Sequence, residues 1–200
     1  AGVYTLTVTN SAGCSATATV NVTVIPVDHP SASANTPCVG GDLILTGGPS
    51  GMVSYSWTGP DGFSSSEQSP VITAVTSAAA GTYTLTVTNS SGASSSATVD
   101  VTINPLPAPV ITGSNMVCQS IDGSTEIYTT PAIAGSTFSW TVVGGAFSGQ
   151  GSNQIAVTWT TPGTGSVSVN ETVTSTGCTA VAIIETTIHP APVTSGIYHN

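Results

Sequence analysis

The sequence contains no lysine and no arginine among its 200 residues, and nine acidic residues give it a formal net charge of −9. Charged residues make up 4% of the chain, whereas they make up about 25% of a typical soluble domain. Because only three histidines could carry positive side-chain charge, we expect no binding to nucleic acids or to anionic membrane surfaces. The same absence excludes salt bridges to Lys or Arg and cross-links made from lysine.

Long hydrophobic runs and helical patterns are also missing. No stretch reaches the roughly 18 uninterrupted apolar residues of a membrane-spanning helix, so we expect no membrane insertion. No amphipathic helix of convincing length is visible, and neither is a signal peptide. Because the sequence opens inside a repeat, we interpret it as an internal excerpt of a longer protein.

The four cysteines, Cys14, Cys38, Cys118 and Cys178, form no Cys-x-x-Cys pair and have no histidine at ligand spacing, which argues against zinc or redox chemistry. We expect a disulfide between Cys118 and Cys178, near the first strand and the last hairpin of one repeat, and therefore an oxidising compartment. Cys14 occupies the same repeat position as Cys178. Cys38 has no evident partner, so it is either a free buried thiol or bonded to another domain or chain.

One segment occurs twice: residues 1–13 read AGVYTLTVTNSAG and residues 80–92 read AGTYTLTVTNSSG. The two copies lie 79 residues apart, whereas solenoid repeats are about 20 to 45 residues long. In each copy apolar residues alternate with threonines, which predicts a β-hairpin with one apolar face. The chain is therefore interpreted as a tandem array of small all-β domains.

Proline marks the expected domain borders, at 25–26, 104–109 and 189–192. Such segments favour extended polyproline II geometry and act as semi-rigid spacers. We predict a C-terminal hairpin of a truncated domain (1–26), two whole domains (27–105 and 106–190) and the first strand of another (191–200). Because two strands alone are marginally stable in water, the hairpin needs further strands. Preceding sequence of the same polypeptide would supply them, or a neighbouring subunit would by strand donation.

The order of strands in the middle domain resembles the immunoglobulin fold. Trp57 takes the place of the core tryptophan of strand C, and Gly81-x-Tyr83 matches the tyrosine corner at the start of strand F. Leu45 and Leu85 replace the cysteines of strands B and F, so the inter-sheet disulfide of antibody domains is absent. A bridge from the first strand to the last hairpin looks like its substitute.

A closer resemblance lies in two longer patterns. The phrase SWTGPDGF at 56–63, followed by AGTYTLTVTN at 80–89, resembles the immunoglobulin-like repeats of giant Bacteroidota surface proteins. The third domain resembles their PKD-like repeats through VC at 117–118, TTPAIAG at 129–135, FSWTV at 138–142 and GTGSVSV at 163–169. Such repeats resemble those of gliding-motility adhesins and other long appendages exported by the type IX secretion system.

Aromatic residues divide into predicted core and candidate ligand contacts. Trp57, Tyr83, Trp140 and Trp159 fall on the apolar positions of their strands, which predicts structural core. The hairpin aromatics Tyr55, Phe63 and Phe147 are candidates for stacking against glycans. In a neighbouring strand Glu171 takes an inward position, and we predict a bulge that turns it outward rather than a buried acid.

Metal and catalytic sites are not expected. His29, His189 and His199 are interpreted as exposed linker residues, because none has a second ligand nearby. Asp28 and Asp100 lie near domain ends but outside any acidic loop, so calcium is only a minor alternative and no cofactor is predicted. Gly149-Gln150-Gly151 has no helix behind it and no cation, which argues against phosphate binding. No Ser, His and acid stand at positions typical of a hydrolase, and we expect no enzyme.

The sequence favours a structural function. The domains are expected to be stiff spacer modules of a long extracellular cell-surface adhesin or filament, for attachment, motility or capture. Their partners would be neighbouring repeats of the same chain and, in a fibre, laterally packed copies. The alternative is a set of glycan-binding or surface-binding modules that use the hairpin aromatics.

Overall fold

The computed structural model describes residues 1–24 and 28–192, and its regular elements are β-strands with two short 3₁₀ turns. The predicted all-β class is confirmed. The chain divides into two compact units, Ala1–Ile103 and Asn104–Asn200, so this border lies at 103 and 104 where 105 and 106 were predicted. The expected linker at 25–26 and nearly all of the expected strand in 191–200 lie outside the described residues.

The first unit contains nine described strands in three sheets. A hairpin, β1–β2, forms one sheet, and the middle domain has a three-stranded sheet (β3-β4-β7) and a four-stranded sheet (β6-β5-β8-β9). The strands are β1 (Gly2–Thr9), β2 (Ser15–Val22), β3 (Ser31–Ala34), β4 (Leu43–Gly48), β5 (Ser54–Thr58), β6 (Ser64–Ser65), β7 (Val71–Ile72), β8 (Gly81–Thr88) and β9 (Ser94–Val101). The 3₁₀ turns are Pro60–Gly62 and Ser77–Ala79.

The second unit contains seven described strands in two sheets, β10-β16-β15-β12 and β11-β14-β13. The strands are β10 (Met116–Cys118), β11 (Glu126–Thr129), β12 (Ser136–Val143), β13 (Gly145–Ser148), β14 (Gln154–Trp159), β15 (Gly163–Val173) and β16 (Thr179–His189). All of these pairings are antiparallel except β10 with β16, which is parallel.

The middle domain is organised around a tyrosine corner. Tyr83 is fully buried on β8, and its hydroxyl donates a hydrogen bond to the backbone carbonyl of Ala79 at 2.9 Å. Leu45 and Leu85, which stand where antibody domains have cysteines, are also fully buried. Trp57 completes the core, and its indole N–H donates to the carbonyl of Gln68 at 3.2 Å.

The third domain repeats this arrangement with different residues. Tyr128 is fully buried and its hydroxyl donates to the carbonyl of Ser114 at 2.6 Å. Gly113 lies flat against the Tyr128 ring, since a Cβ there would come within 2.1 Å of it. Trp140 and Trp159 fill the same core at 2% and 1% exposure. The four residues predicted as structural core thus lie in the two sandwich interiors.

The expected disulfide between Cys118 and Cys178 is not formed. Cys118 is a free, exposed thiol, whereas Cys178 is buried and disulfide-bonded. The reason is strand direction: β10 runs parallel to β16, so Cys118 lies opposite His189, while Cys178 precedes the other end of that strand. Eleven residues at about 3.3 Å each separate the two cysteines by roughly 30 Å, far beyond the Cα separation of about 7 Å that a disulfide spans.

The remaining cysteines differ from each other. Cys14 is free and exposed, in the turn between β1 and β2. Cys38 is disulfide-bonded, so the alternative of a free thiol at that position is wrong.

The tyrosine corner predicts a pH-dependent stability. Burial raises the pKa of Tyr83 and the Asp61 carboxylate adds to this effect. The folded state therefore keeps its proton where the unfolded state loses it, so this contribution is complete below about pH 10 and is lost as the pH rises further. Tyr83→Phe should cost about 1 kcal/mol at neutral pH through the lost hydrogen bond, and its deficit should shrink in alkali. Denaturant titrations measure both, with Tyr4→Phe, at the repeated position, as a control; a constant deficit would contradict the prediction.

The cysteine states predict a labelling pattern. Alkylation of the folded, unreduced chain should modify Cys14 and Cys118, and all four cysteines should react after reduction and unfolding. Peptides for mass spectrometry require a protease that does not cleave at Lys or Arg. In Cys118→Ser, one label should disappear while Cys178 stays protected; release of a reactive Cys178 thiol would show that the two cysteines are bonded.

Candidate functional site

The first candidate site is the uncovered apolar face of the β1–β2 hairpin. Tyr4, Leu6 and Val8 of β1 and Val20 of β2 are each about 60% exposed. The register places Tyr4 opposite Val20 and Leu6 opposite Ala18, so these side chains share one side of the sheet. We call this surface the open face.

The β8–β9 hairpin shows how the open face would look when covered. Its register is the same, with Tyr83 opposite Val99 and Leu85 opposite Ala97. There, Tyr83, Leu85 and Val87 are at most 1% exposed, because they pack in one core with Leu43 and Leu45 of β4. The open face therefore has the side chains and the register of a sandwich half, without a second sheet among the described residues.

The three candidate glycan contacts are half-buried rather than displayed. The Tyr55 hydroxyl donates to the carbonyl of Pro49 at 2.8 Å, and Phe63 packs edge-on against Tyr83 with ring centroids 5.5 Å apart. Phe147 packs against the core of the third domain and lines a surface cavity of about 210 Å³. Tyr55 and Phe63 thus belong to one domain and Phe147 to the other, and glycan contact stays a prediction.

Glu171 is the residue on which the sequence interpretation is wrong. No bulge turns it outward: β15 pairs continuously on both sides, with Glu171 opposite Phe138 of β12 and Ala180 of β16. The side chain is 1% exposed. A central strand bonded to two neighbours cannot bulge without breaking ladder hydrogen bonds, so the inward position is kept.

Two amide side chains have a structural use that the sequence did not reveal. Gln150 accepts a hydrogen bond from the Trp140 backbone N–H at 2.7 Å and donates one to the Trp140 carbonyl at 3.1 Å. Trp140 lies on β12, an edge strand of its sheet. In the middle domain Asn35 similarly accepts from the N–H of Ile44 at 2.8 Å and donates to the carbonyl of Asp42 at 2.9 Å. Both amides therefore act as short additional strand segments.

The acidic residues considered for calcium are engaged by their own domain. Asp28 accepts a hydrogen bond from Asn89 at 2.9 Å, and Asp100 accepts one from Thr82 at 2.6 Å. His29 and His189 are exposed, and His199 lies outside the described residues. Within residues 1–24 and 28–192 no group of three or more His, Cys, Asp or Glu side chains is placed to hold a metal ion. The same residues include no helix of the length and apolarity that crossing a membrane requires.

The repeated hairpins offer a matched test of the open face. Leu85→Ala removes a fully buried side chain and should destabilise the middle domain by about 2 to 5 kcal/mol. Leu6→Ala changes the corresponding residue at 65% exposure and should change stability by about 0.5 kcal/mol or less. Chemical denaturation of both variants of the 200-residue chain measures the difference, and similar losses would show that the open face is covered in solution.

Two family models match the chain. A model of PKD-like domains matches residues 104–186, and a model of the PKD domain matches residues 42–103. No match to the chain is found among the curated proteins.

Solved structures similar to this chain include murine CEACAM1b, at 13% identity over 80% of this chain and 100% of that one, with a TM-score of 0.37. Fibronectin(III)-like modules of Clostridium thermocellum CbhA match at 12% identity over 86% and 100%, with a TM-score of 0.39. Domains 3–5 of Drosophila OTK match at 14% identity over 96% and 72%, with a TM-score of 0.41.

Domains of the PKD type are typically non-catalytic, and disulfide-bonded cysteines are typical of extracellular proteins. The chain is therefore an all-β protein in which two β-sandwich domains, of the PKD and the PKD-like type, follow one another along the sequence.

Proposed function

We propose that these domains are spacer modules of a long, repetitive protein on the cell surface, of the adhesin or filament type. Their task is mechanical: they project or connect a more distant attachment element and carry out no reaction. The sequence resemblance to gliding-motility adhesins and type IX secretion cargo points to a bacterial appendage used in attachment, motility or capture.

The open face carries this proposal. Its residues, register and alternation are those of β8–β9, so β1–β2 is the last hairpin of a sandwich that needs a second sheet. Leaving that many apolar side chains in water is unfavourable, at about 25 cal/mol per Å² of apolar surface. A preceding segment of the same polypeptide, similar to β3-β4-β7, would cover it. The chain then contains parts of three successive domains, as a repetitive shaft does.

Glycan binding is the second candidate function. The cavity beside Phe147 favours it, because Thr125 and Ser148 add hydroxyl groups to an aromatic edge. Sugars commonly need both an apolar stacking surface and polar groups that fix their orientation. Binding there would make the third domain itself adhesive.

The spacer proposal is tested on the native polypeptide. Antibodies raised against this chain should label unpermeabilised cells that express it naturally, and the reduced, denatured polypeptide should have a mass far above 19.7 kDa. A native mass near 19.7 kDa would overturn the shaft, and labelling only after permeabilisation would overturn the surface location. For the alternative, the 200-residue chain is applied to immobilised polysaccharides. Saturable binding that is lost in Phe147→Ala or Tyr55→Ala would replace the spacer proposal.

A further inference from the structure

A cavity of about 230 Å³ lies in the second unit, where β12 begins and β15 ends. Its walls are mostly apolar, with Leu106 and Pro107 on one segment and Ile133 on another. The polar groups of its lining include Ser136 and Glu171. The cavity therefore combines a hydrophobic wall with one carboxylate.

Glu171 is only partly satisfied by its surroundings. Ser136 donates a hydrogen bond to Oε1 at 2.7 Å, whereas Oε2 is buried and has no hydrogen-bond partner among the described residues. A buried carboxylate that lacks a partner is strongly unfavourable in the apolar interior of a protein. The free oxygen thus lies in a cavity that can admit a donor.

No cation of the described second unit can reach this oxygen. The chain has no lysine or arginine. His189 is the only histidine among the described residues of the unit, and it lies nine residues along β16 from Ala180, the partner of Glu171. At about 3.3 Å per residue this is roughly 30 Å. The donor must come from another molecule.

We propose that this cavity is a binding site for a primary alkylammonium group. The ammonium would donate to Oε2 of Glu171, and an aliphatic stem would lie along Leu106, Pro107 and Ile133. The volume exceeds that of several water molecules, which occupy about 30 Å³ each. The four-carbon stem and compact charge of a lysine side chain match this combination.

The same residues argue against other cations. A guanidinium group pairs best with both oxygens of a carboxylate, but Ser136 already occupies Oε1. Divalent cations need several oxygen ligands, and this cavity offers one carboxylate among apolar walls. The site therefore selects a point charge on an apolar stem.

The ammonium has two possible sources, a free alkylamine or a lysine side chain of a partner protein. A second copy of this chain cannot supply the lysine. The inference goes beyond the spacer role and does not depend on it, because a lysine-binding cavity would equally serve a lone domain.

The test is an NMR titration of the isotope-labelled 200-residue chain. The probes are n-butylammonium, methylammonium, n-butanol, and the lysine and arginine derivatives acetylated at Nα and amidated at the carboxyl group. Saturable shifts should appear at Ser136, Glu171 and Val173 with n-butylammonium, weaker shifts with methylammonium, and none with n-butanol. Equal binding of the lysine derivative supports a protein partner, whereas exclusion of that derivative supports a small amine.

Three variants separate this site from unspecific effects. Glu171→Gln should weaken n-butylammonium binding by about tenfold or more. Leu106→Ser keeps the carboxylate, and it should reduce the preference for the butyl over the methyl probe even if the Gln variant does not fold. Ser136→Ala frees Oε1 and should raise binding of the arginine derivative relative to the lysine one. No saturable shift with any ammonium probe, or equal shifts with n-butanol, would overturn the proposal and leave water as the occupant.

Discussion

Both domains depend on apolar contact between two sheets, because the chain lacks the cations that would add salt bridges. The contact is built on large aromatic side chains: Trp57 and Tyr83 in one core, Trp140 and Tyr128 in the other. Hydrophobic burial is not directional, so it does not by itself fix how these rings are oriented. Their polar atoms do, because each donates a hydrogen bond to a backbone carbonyl.

These carbonyl bonds also explain how the cores tolerate polar atoms without charged partners. The Trp57 and Trp140 indoles and the Tyr83 and Tyr128 hydroxyls all bind main chain of their own domain. Glu171 departs from this pattern, because its second oxygen finds no such carbonyl or donor. A carboxylate can only accept hydrogen bonds, and the donors nearby are already used in the ladders of β12 and β16.

Alternation and repetition were enough to predict the all-β class, the hairpins and the buried positions of Trp57 and Tyr83. These features are local, since period-two patterns and turn residues lie within a few positions of each other. The cysteine pairing could not be predicted because it depends on β10 running parallel to β16, which no local pattern encodes. The bulge expected at Glu171 failed for a similar reason: it required knowing that β15 is bonded on both sides. The use of Gln150 depends on a turn that returns its amide to β12.

The Gln150 amide has a consequence for crowding. A chain with few charges has little electrostatic repulsion to hold neighbouring copies apart, and exposed edge strands are where such copies join by strand addition. On β12 the outward N–H and C=O of Trp140 are already occupied by Gln150. An incoming strand would first have to displace that amide. Molecules packed side by side at high density are thus denied sheet extension at this position of β12, and any ordered lateral contact must form between side chains.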